Sequence, residues 1–172
     1  MRFLTLLCLF FLCTACSFSP LYSEKKDEAV LQETAQIQIE PIEGVLGYTI
    51  RDQLNAKLQT KTNQNKKYTL NIKISENIIG DLGIQKTNFA TRSRMILTAH
   101  YILKDCETNQ VLLNTQTNAS GSYNLTTTYS TMTAKDKMRQ NLAKILADNI
   151  SIRLLMYFKK QEASFESAKT SN

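Results

Sequence analysis

Along the chain, the spacing of apolar positions changes several times, and each change marks a predicted element. Gln36-Ile37-Gln38-Ile39-Glu40 alternates apolar and polar and is stopped by Pro41, the pattern of a short half-buried strand. From Val45 the period becomes helical: Leu46, Ile50, Leu54 and Leu58 recur at four-residue intervals with Arg51, Asp52, Asn55 and Lys57 between them. A polar run from Thr60 to Lys67 ends that helix, and Tyr68, Leu70, Ile72 and Ile74 then alternate with Thr69, Asn71, Lys73 and Ser75 as a second strand. After a turn marked by Gly80 and Gly83, a long strand is predicted from Phe89 to Leu103. Met95, Leu97, Ala99, Tyr101 and Leu103 lie on one of its faces, and Arg94, Ile96, Thr98, His100 and Ile102 on the other. Asp105 to Gln110 turns the chain into a further strand, Val111 to Ser122, so this pair reads as an antiparallel hairpin.

A loop rich in Thr and Ser, Tyr123 to Thr131, leads to Thr133-Ala134-Lys135-Asp136, a loose capping signal for a last helix over 132–158. Met138, Leu142, Ile145, Leu146, Asn149, Ile150, Ile152 and Leu155 give that helix a broad apolar face. The order β-α-β-β-β-α predicts an α+β two-layer sandwich. Its four-stranded, mostly antiparallel sheet carries two helices on one face, because that arrangement buries both helical stripes together. Residues 159–172 show no such periodicity and read as a flexible tail.

The start of the chain follows another logic. Met1-Arg2, an apolar stretch from Phe3 to Leu12 and the small residues before Cys16 have the layout of an export signal too short to span a membrane. A cysteine directly after such a site is the acceptor position of a bacterial lipoprotein signal, so residues 1–15 read as a signal peptide and Cys16 as the lipidation site. An ordinary signal peptide cut after Ala15 is the alternative. Two or three acyl chains on Cys16 make an effectively permanent anchor, since each buried methylene contributes about 0.8 kcal/mol. Residues 16–34 carry several charges (Glu24, Lys25, Lys26, Asp27, Glu28) and little periodicity, and read as a lipidated tether ahead of a single domain over 35–158.

Charge and cysteine count narrow the chemistry. Without Arg2 the 21 basic residues become 20, against 15 acidic ones, so the exported chain stays cationic. In an envelope compartment that balance suits a phosphorylated lipid and not nucleic acid. Of the four cysteines, Cys8 and Cys13 leave with the signal and Cys16 takes lipid, so Cys106 remains alone and neither a disulfide framework nor a metal cluster is expected. The one histidine, His100, sits mid-strand without a ligand or catalytic partner nearby in sequence, and Gly80-Asp81-Leu82-Gly83 lacks the third glycine of a phosphate cradle. No enzyme and no cofactor are expected. Lys86, Arg92 and Arg94 flank the start of the third strand, with both arginines on the same side of it; paired guanidinium groups on a rigid strand suit phosphate, and these three are the candidate ligand-binding residues.

Cys16-Ser17-Phe18-Ser19-Pro20-Leu21-Tyr22 resembles the CGFxPLY mature start of a branch of the LPS-assembly lipoprotein family (LptE), with Ser17 in place of the glycine. The similarity continues in order. Gly47 to Leu58 matches the first helix, Tyr68-x-Leu-x-Ile the second strand, and Ala90-Thr91-Arg92 with Leu97-Thr98-Ala99-x-Tyr101 the third; Ser122-Tyr123-Asn124 precedes the last helix. The resemblance implies a lipoprotein anchored in the inner leaflet of the outer membrane and facing the periplasm. Its partner would be the LPS-inserting β-barrel protein LptD, which it plugs from within, and it would bind lipopolysaccharide. Two other readings stay open, an accessory lipoprotein of a different envelope lipid transporter and a periplasmic lipid carrier.

Overall fold

The computed structural model describes residues 27–60, 66–80 and 92–170. Their elements follow in the order α1 (Asp27–Ala35), β1 (Ile37–Ile39), α2 (Gly44–Lys57), β2 (Tyr68–Ile79), β3 (Arg92–Asp105), β4 (Val111–Asn124) and α3 (Thr128–Thr170). The strands form one sheet in the order β1-β2-β3-β4. β1 runs parallel to β2, and both other pairs are antiparallel. Parallel neighbours need a crossover, and α2 supplies it. This is the expected α+β sandwich.

Alternation in the strands places the core. Met95, Leu97, Ala99, Tyr101 and Leu103 of β3 are all buried on one face, with Tyr68, Leu70 and Ile72 of β2 on one side and Ala119 and Tyr123 of β4 on the other. Ile50 and Leu54 of α2, Leu58 just beyond it, and Leu142, Leu146, Ile150 and Leu154 of α3 close over them. Each such side chain contributes roughly 1.5 to 3 kcal/mol by leaving water. Gly47 is buried at the start of α2, where a Cβ would run into the carbonyl oxygen and Cγ2 of Ile42; only glycine lets the helix lie this close to the chain that leads into it.

Three expectations are corrected. First, the sheet carries three helices and not two. α1 occupies part of the stretch read as a tether; it packs on α3, buries Val30, and is tied down where the Tyr68 hydroxyl donates to Glu33 at 2.7 Å and the Lys67 ammonium at 3.3 Å. Second, α3 starts at Thr128. The Thr127 hydroxyl accepts the Ser130 N–H at 3.4 Å and the Thr131 hydroxyl accepts the Thr126 N–H at 3.0 Å, whereas Thr133 lies inside the helix and bonds back to the Tyr129 carbonyl. It also continues to Thr170 through the stretch read as an unstructured tail. Extending an anchored helix through Lys, Gln, Glu and Ala is favourable even without an apolar stripe, because only nucleation is costly. Third, Ile145 and Ile152 face outward, 47% and 38% exposed, so the buried face of α3 is narrower than expected.

Candidate functional site

The helices cover one face of the sheet, which leaves the other face as the broad surface on which polar strand positions converge. Along β2 it presents Thr69, Asn71, Lys73, Ser75 and Asn77; along β4, Asn114, Gln116, Asn118, Ser120, Ser122 and Asn124. Between them β3 contributes Arg92, Arg94, Ile96, Thr98, His100, Ile102 and Lys104. Among the described residues, the strand positions of this face include no Asp or Glu. Glu40, just past β1, accepts a hydrogen bond from the Asn71 amide and so is already engaged. The face is therefore cationic at Lys73, Arg92, Arg94 and Lys104 and carries rows of hydroxyl and carboxamide groups, with Ile79, Ile96, Ile102 and His100 among them.

Register sets the neighbours of each cation. Arg92 lies opposite Asn124, and Arg94 lies between Ile79 of β2 and Ser122 of β4. Both arginines are exposed and on the same side of β3, as expected. His100 sits between Lys73 and Gln116, an exposed position without a carboxylate across either strand. Lys86 and Cys16 lie outside the described residues. Lys73 and Lys104 share this face by the same period-two alternation but lie toward its other end: Lys73 is paired with His100, six residues from Arg94, and Lys104 is ten residues from Arg94, about 34 Å along the strand.

The remaining polar groups have structural roles. Cys106, exposed in the β3–β4 turn, has its Sγ 3.0 Å from the Thr69 hydroxyl oxygen. Asp105 shapes that turn by accepting the backbone N–H groups of Glu107 and Thr108, at 3.0 and 2.9 Å, and the Thr108 hydroxyl. The Thr108 N–H and hydroxyl, with the Glu107 N–H, hold the Asp105 carboxyl below its usual range. On the helix side, Arg139 makes a two-pronged ion pair with Glu76 at 2.7 and 2.8 Å, which lowers the glutamate pKa. Among the described residues there is no group of three or more His, Cys, Asp or Glu that could hold a metal ion. No helix among them is long and apolar enough to cross a membrane.

No protein-family model matches the chain, and no curated protein matches it. Solved structures do. A candidate lipoprotein from Caulobacter crescentus CB15 superposes with a TM-score of 0.60 at 19% identity, over 76% of this chain and 96% of that one. Rare lipoprotein B from Shewanella oneidensis gives 0.56 at 12% identity, over 76% and 98%. A minor lipoprotein from Acinetobacter baumannii gives 0.54 at 16% identity, over 70% and 90%. At these identities the likeness is one of fold: this chain has nearly the whole fold of three proteins that are named as lipoproteins.

Proposed function

We propose that this chain is an outer-membrane lipoprotein of the LPS-assembly type, held in the inner leaflet by acyl chains on Cys16. In this reading it partners and plugs the LPS-inserting β-barrel protein LptD, binds lipopolysaccharide, and acts by binding and not by catalysis. The observation that carries the reading is the open face of the sheet, with hydroxyl and carboxamide rows on β2 and β4, cations at Lys73, Arg92, Arg94 and Lys104, and no carboxylate at its strand positions. The lumen of an outer-membrane barrel is polar, so a face that is mostly hydroxyl, carboxamide and cationic groups suits it. The phosphates of LPS meet paired guanidinium groups bidentately. From β1 onward the elements follow the order in which the chain resembles the LptE family, and the shared fold with three lipoproteins agrees with the leader that ends at Cys16.

The test combines Lys86→Ala, Arg92→Ala and Arg94→Ala in one variant. Each charge-assisted hydrogen bond to phosphate contributes roughly 1.5 to 3 kcal/mol where water is largely excluded, so the triple variant is expected to bind LPS or the purified barrel protein at least about tenfold more weakly. Circular dichroism should show an unchanged fold, since Arg92 and Arg94 are exposed. Unchanged affinity for both partners in the folded variant would remove these residues from the interface. Failure of the wild-type chain to capture any barrel protein from detergent-solubilised membranes would overturn the function itself.

A further inference from the structure

β4 is the last strand of the sheet, and the hydrogen bonds at the foot of β3 show which of its main-chain groups face outward. The Cys106 N–H donates to the Lys67 carbonyl at 2.9 Å, and the Asp105 N–H donates to the Gln110 carbonyl at 3.0 Å. Even-numbered residues of β3 therefore bond toward β2 and odd-numbered ones toward β4. The pairing of Tyr101 with Thr115 and of Ala99 with Thr117 turns the odd-numbered residues of β4 inward, so Gln116 and Asn118 point their N–H and C=O groups away from the sheet. A row of such groups is a template for a further strand.

Two of these carbonyls are occupied from above. The Asn149 carboxamide of α3 donates to the Asn118 carbonyl at 3.3 Å, and Arg153, one turn later, donates to the Gln116 carbonyl at 3.4 Å and the Thr115 hydroxyl at 3.5 Å. Residues four apart on a helix rise about 6.0 Å, and residues two apart on a strand about 6.8 Å, so one helical turn spans two successive outward carbonyls. The same guanidinium also lies close enough to the buried Tyr101 hydroxyl to favour its ionised form, so Arg153 sits between the core and this edge.

We propose that Asn149 and Arg153 act as a guard on β4, occupying the outward carbonyls of Gln116 and Asn118 so that the strand of a second copy of this chain cannot add to the sheet. An incoming strand needs those acceptors and the space beside them, and α3 holds both.

The experiment uses the full chain in mild detergent and compares wild type with Asn149→Ala/Arg153→Ala by size-exclusion light scattering across a tenfold range of concentration. Circular dichroism and thermal melting verify the fold. The folded double variant should at least double its mass at the top of the range while wild type keeps its mass. Adding Gln116→Pro, which removes an outward N–H without touching the β3 ladder, should return the mass to the wild-type value. If the double variant does not fold, the single Arg153→Gln variant is read in the same way. A folded variant whose mass tracks wild type at every concentration, or association that survives Gln116→Pro, overturns the guard.

Discussion

At the scale of single residues, close approach and ion pairing make the sharpest predictions. A Cβ at position 47 would overlap the Ile42 carbonyl, a backbone group that cannot swing aside as a side chain can. Gly47→Ala should therefore lower stability by about 1 to 3 kcal/mol in a denaturant titration, although alanine favours helices more than glycine does. A variant as stable as wild type would show that the approach at Ile42 is not tight. Glu76 gives a pH signature. Arg139 holds its carboxyl below the ordinary glutamate value of about 4.3, so the stability that the pair contributes is present above that value and lost as pH falls through the lower folded value. Arg139→Gln should be slightly less stable than wild type at about pH 7, by about 1 kcal/mol or less for a partly exposed pair, and the gap should close as the pH is taken into acid through the lowered folded value. A gap independent of pH would mean that Arg139 acts through packing instead.

At the scale of elements, the two long amphipathic helices hold the sandwich together. Leu54 of α2 and Leu142 of α3 are both buried against β3 and its neighbours. Leu54→Asp and Leu142→Asp each place a charge where neither water nor a counter-ion can reach it, a cost that exceeds much of the net stability of a domain this size. Each should abolish cooperative thermal unfolding and the native circular dichroism spectrum; retention of a wild-type melt by either would contradict the packing. The outward side of α3 behaves differently. Ile145→Ser should leave the melting curve within about 0.5 kcal/mol of wild type, because that side chain is half in water already.

For the whole molecule, the proposed anchoring can be tested apart from the fold. The described domain has no membrane-crossing helix, and its broad open face is polar and cationic. Cys16→Ser should therefore convert the chain from a membrane-associated to a soluble or unprocessed form while the domain remains folded. Fractionation reads the first property and circular dichroism the second. A Cys16→Ser chain that still fractionates with the outer membrane after a high-salt wash would place the anchor elsewhere. Salt also distinguishes the open face from an apolar contact: association through Arg92, Arg94 and their neighbours should weaken as ionic strength rises and the Debye length shrinks below about 8 Å.

Local periodicity was enough to reveal the two-layer sandwich, the strand faces, the stripe of α2 and the shared side of Arg92 and Arg94. Alternation and the 3.6-residue repeat are properties of neighbouring positions, and burial follows them wherever one face must leave water. Packing between distant segments decided the rest. α1 has too weak an apolar pattern to declare itself and becomes a docked helix through Val30, Glu33 and their contacts with α3 and β2. The ends of α3 depended on hydroxyl capping at Thr127 and on propagation from an anchored middle, neither of which leaves an apolar trace. Where Lys73 of β2 stands along β3 is known only once the register of the two strands is set, and the outward carbonyls of Gln116 and Asn118 are visible only once the hydrogen-bond parity of the sheet is set. Register and parity are relations between strands far apart in the chain, and the spacing within any one of them does not encode them.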